Sequence, residues 1–239
     1  MGSNSRDGGG RALLNSVERF ISDPEWIMGQ VERYKTAAGG PPDEGADTWR
    51  RQVAEKIIQH YCSSAAVSGG ITSLPSLVPG AGMLISVTAG ALMDMAALLK
   101  LEVELALALS YLYGFDIRDE EERQVAFLLA SVSTYESETG SNLLDDMIRT
   151  EGTALWNYAS REVARVLAVV LGRLAARVMS RGPLRAVPMV GVIAGATMNM
   201  ILTARVGNRI CEELEQRRAA RKSQMDSDQE DVVDGRTDE

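Results

Sequence analysis

The sequence predicts an all-α fold: a multi-helix domain around a central apolar helix, with disordered termini. Three observations predict it. Apolar residues recur at helical spacing along most of the 239 residues, and no strand-period alternation extends beyond a few positions. Aromatics make up only 5% of the chain while Ala, Val, Leu and Met are abundant, a composition that suits packed helices better than strands. Third, residues 69–115 form one long apolar stretch, with no charge anywhere between His60 and Asp94. Further along it, Asp94, Lys100, Glu102 and Glu104 fall at about 0°, 240°, 80° and 280° on a helical wheel, so no polar face survives. A helix that is apolar almost all round is either the centre of a helical domain or a membrane segment.

The elements follow in order. Residues 1–10 are Gly/Ser-rich and read as a disordered leader. A helix is expected over 11–37, with Leu13, Leu14, Val17, Phe20 and Ile21 on one face. It breaks at Asp23-Pro24, where Asp23 is an N-cap and Pro24 occupies N1 of a second short helix. Residues 37–47, AAGGPPDEGAD, read as a linker closing an N-terminal segment of 11–46. Asp47 is expected to cap a helix over 48–67 whose stripe is Trp49, Val53, Ile57 and Tyr61, with Gly69-Gly70 ending it.

The central helix should stop at Gly114, because Gly at C′ supplies the left-handed conformation that closes a helix. Asp119 to Glu122 has the form of a capping box opening a helix to about Ser133, followed by a turn at Thr139-Gly140-Ser141. Another helix is expected to begin over 143–148. Residues 154–181 form a basic amphipathic pattern. Val163, Leu167, Val170, Leu171, Leu174 and Val178 gather on one side, with Arg165, Arg173 and Arg177 on another. Arg181-Gly-Pro183 breaks it. A second charge-free run covers 186–204, and a last helix from about Ala194 carries Val206, Ile210 and Leu214. The main domain is therefore expected over 47–222, followed by an acidic disordered tail over 223–239.

Charge and composition bound the function. The net charge of −8 is concentrated in the tail, which holds seven acids against one Arg, so the pI of 4.9 is largely a property of the tail. That balance argues against nucleic acid as a partner. Two cysteines and one histidine are too few for an ordinary metal site. His60 and Cys62, two residues apart on a helix, point about 200° apart and cannot form a nucleophilic dyad. No secretory signal pattern opens the chain, so a cytoplasmic start is expected. No cofactor and no enzymatic activity are expected.

Two similar devices stand out. Pro75 and Pro79 lead, through Gly80 and Gly82, into the central helix; Pro188 leads, through Gly191 and Gly195 to Asn199, into the last one. Small residues at four-residue spacing let another backbone approach closely. Neither run reads as an ordinary membrane span of about 20 apolar residues, since Asp94 and Lys100 interrupt the first and Pro, Gly, Thr and Asn dilute the second. A re-entrant hairpin kinked at Pro75 and Pro79 remains compatible with the pattern.

The sequence Ser-Ala-Ala-x-Ser-Gly-Gly ending at Gly69 and Gly70 precedes a Pro-led apolar helix that closes with Leu-Tyr-Gly-Phe-Asp at 112–116. Together with Val-Pro-x-x-Gly-x-x-x-Gly-x-x-x-Asn at 187–199, it resembles the EcsC family of bacterial proteins over roughly 50–215. A YcjF-type membrane family shares a cousin of the Pro-Gly helix and the Tyr-Gly ending. EcsC-like chains often enter the helix through acid-Leu-Pro, where this one has Val-Pro-Gly-Ala-Gly. The matching residues are Gly69, Gly70, Tyr113, Gly114, Pro188, Gly191, Gly195 and Asn199, all with architectural explanations. The resemblance implies a helical bacterial protein with membrane or transport associations and no active site.

The remaining candidates read as structure before chemistry. Asp94, in a charge-free surround, is expected to be a satisfied structural carboxylate, and Asn199 a buried amide bridging the two apolar devices. The acids at 119–122 and Asp145-Asp146 read as solvated helix starts. The functional expectation is a non-enzymatic accessory protein, cytoplasmic and peripheral to or partly embedded in the inner membrane. Its contacts would be Arg161, Arg165, Arg173, Arg177 and Arg181 together with the Pro-led segments. Its partner would be a membrane surface or a membrane protein, and a homo-oligomer is compatible with the small-residue faces. The alternative is a soluble scaffold binding a protein partner through its apolar helices.

Overall fold

The computed structural model describes the backbone of residues 21–71, 83–140, 166–167, 169–173, 176 and 188–234, and side chains over a narrower set within them. Five helices organise it: α1 Pro24–Ala37, α2 Ala46–Ile71, α3 Met83–Leu112, α4 Glu120–Thr139 and α5 Pro188–Asp234. The fold is all-α. α3 packs substantially against each of the other four helices, and the most extensive pairing is between α2 and α5.

Local chemistry sets the helix ends. Asp23 caps α1, its carboxylate accepting from Glu25 N at 2.8 Å, with Pro24 at the first helical position. Ile27, Met28 and Val31 bury the inner face of α1, and Gly39 and Gly40 adopt positive φ to turn the chain toward α2. Gly114, at φ 91°, closes α3 as expected. Asp119 caps α4 by accepting from Glu121 N, and Gly140 ends it in the left-handed conformation at φ 69°. The reciprocal half of the capping box is missing because Glu122 is drawn into a pair with Arg217.

Several boundaries differ from the sequence pattern. Asp47 does not cap α2: the helix starts one residue earlier, Gly45 O accepts the first bond from Trp49 N, and Asp47 sits in the first turn between two arginines. Gly69 and Gly70 do not end α2, which continues to Ile71. Glycine costs only about 1 kcal/mol inside a helix, and the extensive pairing of α2 with α5 offsets it. α4 extends to Thr139, past Ser133. α5 begins at Pro188, ahead of Ala194, and continues through the acidic residues to Asp234, further than the composition of the tail predicts. Helix already nucleated in the body propagates at little cost per residue.

The core is built where the periodicity placed it. Trp49, Val53, Ile57 and Tyr61 of α2 are buried, as are Val206, Ile210 and Leu214 of α5. The described residues between 166 and 176 include helical turns, with Leu167, Val170 and Leu171 buried and Arg173 exposed. Residues 11–20, 72–82, 141–165 and 177–187 lie outside the described set, and with them Pro75, Pro79, Gly80, Gly82, Arg161, Arg165, Arg177, Arg181 and the helix expected at 143–148.

The α2–α5 pair fixes the direction of the whole bundle. Asp47 meets Arg218, Arg51 meets Glu215 and Ile58 meets Gly207, so the two helices run antiparallel in a constant register. Continued along both helices, that register brings Gly69 and Gly70 level with Gly195. The C-terminal end of α2, the N-terminal end of α3 and the N-terminal end of α5 therefore point to the same end of the bundle.

Candidate functional site

The opposite end is a charged clasp built on the Tyr-Gly-Phe corner. Gly114 turns the chain as α3 ends, and Tyr113 is sent toward the α2–α5 seam. Its hydroxyl donates to Glu215 Oε1 at 3.0 Å, and the same carboxylate receives both 2.7 Å bonds from the Arg51 guanidinium. Cys211, one turn before Glu215, lies within hydrogen-bond reach of the phenol. Burial, then the neighbouring Cys211 and Glu215, pushes the Tyr113 phenol up, and burial pushes the Cys211 thiol up to about 11. Both groups stay protonated at neutral pH, which makes them fixed donors and poor nucleophiles.

Phe115 completes the corner. The Arg217 guanidinium stacks 4.2 Å from its ring centre while holding Glu122 through two bonds of 2.6 and 2.8 Å. Arg118 of the same turn pairs with Glu25 of α1 at 2.7 Å. Asp47 receives Arg50 and Arg218, and these two partners hold its carboxyl below the ordinary aspartate range. Tyr111 donates to Glu32 at 2.8 Å. All five helices are thus fastened at one end.

A second polar set lies inside the bundle. Glu102 is fully buried on α3 and accepts from the Thr134 hydroxyl of α4. Glu213, 2% exposed, pairs with Arg209 at 3.1 Å, and Arg209 also reaches Glu212 and Glu136. Glu104 accepts from Lys100 at 2.8 Å and from Ser22 N at 2.7 Å, so its partners come from its own helix and from the chain ahead of α1. Thr203 is buried and its hydroxyl makes no hydrogen bond among the described residues. Buried charges held this way lock helix positions together. No group of three His, Cys, Asp or Glu side chains able to hold a metal is present among the described residues.

The structure distributes the expected site residues unevenly. Tyr113 and Gly114 form the clasp corner, and Arg173 is exposed. Pro188, Gly191 and Gly195 lie in the first turns of α5, and Gly69 and Gly70 in the last turns of α2. Asn199 is partly covered on α5, and the side chains of the other apolar device that it was expected to bridge lie outside the described set. Asp94 belongs to α3, but its side chain lies outside the described set. His60 is exposed and Cys62 buried, which keeps them apart as the helical spacing required.

Gly207 is a residue the sequence reading passed over. A Cβ there would lie 2.7 Å from Ile58 Cγ1, so α2 and α5 approach closely at this point. The signal was present: Gly191, Gly195, Asn199, Thr203 and Gly207 continue one four-residue series.

Beyond the clasp the surface changes character. Among the described residues every ion pair lies at or before Arg51 on α2, at or after Lys100 on α3, and at or after Arg209 on α5. Toward the other end Met198, Met200 and Ile201 are 57%, 42% and 39% exposed. Among the described residues no helix is long and apolar enough to cross a membrane.

Comparison with known proteins gives one match. No curated protein and no solved structure matches the chain. The description of the EcsC protein family matches residues 47–218, from the first turn of α2 through the Arg218 contact on α5, and so takes in the clasp apart from Glu25 and Glu32 of α1. The chain belongs to the EcsC protein family.

Proposed function

We propose that this protein is a non-enzymatic, membrane-associated accessory protein, peripheral to or partly embedded in the inner membrane of a bacterial cell. One observation carries the reading: charge is segregated along the bundle. Among the described residues ion pairs fasten one end, while the charge-free helical segments 61–71, 83–93 and 188–204 extend toward the other. Met198, Met200 and Ile201 stand exposed there, an apolar surface that water alone does not stabilise.

The described polar groups support an architectural role. Tyr113 and Cys211 are held protonated, Glu102 is buried in a contact between α3 and α4, and Glu213 is buried in a pair with Arg209 of its own helix. Arg173 is exposed beside the buried Leu167–Val170–Leu171 face, as a cation facing anionic headgroups would be. A second reading, a scaffold that docks a protein partner, draws on the methionines at 198 and 200, since Met-rich surfaces adapt to varied partners.

Flotation with vesicles separates the two. Association predicts that the protein rises with phosphatidylglycerol-containing vesicles at low salt. It also predicts that Arg165→Glu with Arg173→Glu weakens this without altering the circular dichroism. A wild-type protein that stays at the bottom of the gradient removes the membrane reading and leaves the scaffold.

A further inference from the structure

We propose that α2 and α3 form a helix-docking groove, that α1 occupies it as a releasable strap, and that the partner it holds off is an amphipathic helix of another protein. This goes beyond the membrane association argued above and does not depend on it.

The body closes without α1. Among the described residues α1 packs substantially only on α2 and α3. The other four helices complete a circuit of their own, α2 with α3, α3 with α4, α4 with α5 and α5 with α2. The family match begins at residue 47 and leaves α1 out as well.

The groove beneath α1 holds a carboxylate that the matched residues satisfy only in part. Glu104 of α3 is 3% exposed, and its hydrogen-bond donors are Lys100 of its own helix at 2.8 Å and Ser22 N, just ahead of α1, at 2.7 Å. Its charge lies beside Tyr61 of α2, whose phenol is pushed up by burial and then by Glu104. A buried charge short of donors is costly, so any helix lying here must bring an N–H or a cation to this point. Ile27, Met28 and Val31 bury the inner face of the strap, Glu25 meets Arg118, and Glu32 accepts from Tyr111. The occupant is thereby specified: a donor for Glu104, apolar residues at i, i+1 and i+4, and acids for Arg118 and Tyr111.

That specification selects a protein helix. Anionic lipid offers Glu104 no donor. The strap of a second copy would have to leave its own groove and would gain no new contact by the exchange, against a tethered competitor.

The attachments of α1 suit release. Glu25 and Arg118 are 64% and 57% exposed and Glu32 is 48% exposed, so salt screens both contacts. The connection to α2 turns at Gly39, Gly40 and Gly45, each at positive φ. At 14 residues a detached α1 is too short to persist as a helix in water, so leaving the groove is an order–disorder step.

The experiment uses the full chain with a protease site inserted between Gly40 and Pro41, and a fluorescent peptide of residues 21–40 as the probe. Once cut, the protein should stay folded and bind excess probe saturably by anisotropy. Uncut protein should bind it at least about ten-fold more weakly, because the linker holds its own strap at about millimolar effective concentration. Ile27→Ala with Val31→Ala in the uncut chain loosens the strap and should recover part of that loss. A designed alanine-rich helix carrying only the Asp-Pro-Glu start, the Ile, Met and Val positions and the second acid should also bind the cut protein. A cut protein that unfolds, or that keeps its strap without exchange, makes α1 an integral part of the fold and overturns the proposal. Equal binding before and after cutting places the probe elsewhere and also overturns it. Binding of the native probe but not of the designed helix shows that the groove reads α1 alone, and the outside partner falls. Dimers of uncut protein that excess probe dissolves assign the groove to a second copy and overturn it too. None of these outcomes bears on vesicle flotation, so this inference and the membrane reading fail separately.

Discussion

Tyr113 and Glu215 are joined by a 3.0 Å hydrogen bond across the seam of α2, α3 and α5. They are far apart in sequence, yet the contact lets a single glycine turn hold the end of α3 against α5. Tyr113→Phe removes only the hydroxyl and leaves Glu215 with its Arg51 partner. The expected loss is about 1.5–3 kcal/mol, the range for a hydrogen bond to a charged acceptor. Tyr113→Ala also removes the buried ring and should cost about 3–5 kcal/mol. Urea unfolding with an unchanged m-value checks both; a Phe variant as stable as the wild type would show that the bond adds nothing beyond packing.

Gly207 marks a close approach of α5 to Ile58 of α2. In an open helix Gly→Ala gains about 1 kcal/mol. Here the added Cβ meets Ile58 Cγ1 at 2.7 Å and its two neighbouring carbons at 3.1 and 3.2 Å. All three are side-chain atoms, so the cost is repacking rather than a backbone collision. Gly207→Ala should come out near neutral, while Gly207→Leu should cost about 1–3 kcal/mol or more. Ile58→Ala in the Leu background should recover part of that loss, a coupling a double-mutant cycle reads directly. Simple additivity of the two substitutions would remove the contact from the argument.

The sequence legibly specified those parts of the fold where pattern and packing agree. The stripe Trp49, Val53, Ile57 and Tyr61, the stop at Gly114 and the cap at Asp23 each follow from one local rule, and the structure satisfies each. The boundaries that moved are the ones tertiary contacts control. Gly69 and Gly70 read as breakers because glycine is a poor helix former, but a helix already formed and packed against α5 along its length carries through them. Asp47 reads as a cap, yet Arg50 and Arg218 compete for its carboxylate. The clasp itself was illegible. Glu215, Arg217 and Arg218 look like ordinary solvated charges at the polar end of a helix, and nothing local in the sequence says that Glu215 faces Tyr113 or that Arg217 covers Phe115.

Asp47 gives a pH dependence with a definite sign. Arg218 first, then Arg50, hold its carboxyl below the ordinary 3.8. A depressed carboxylate stabilises the fold above its unfolded pKa and loses that contribution as pH falls through the folded one. Asp47 is largely exposed, so solvent screening limits the effect to about 0.5 kcal/mol or less. The stability difference between wild type and Asp47→Asn should therefore be small and flat from neutral pH to about pH 5, then shrink toward zero below 3.8. A difference that instead grows on acidification would mean that the two arginine contacts do not hold in solution.

The C-terminal part of α5 separates helix formation from folding. Beyond the Arg218–Asp47 pair, residues 219–225 are exposed throughout. The helix nevertheless continues to Asp234. Those further turns are extended from a helix already nucleated in the body, and isolated they would be too short to form in water. Truncation after Lys222 should accordingly reduce the total helical circular dichroism by the signal of residues 223–234, while the midpoint and cooperativity of unfolding stay unchanged. Fusing residues 219–239 to an unrelated carrier should yield little helix. A truncated chain that aggregates or melts earlier would show that the acidic turns fold back on the body, and the free extension of α5 would have to be abandoned.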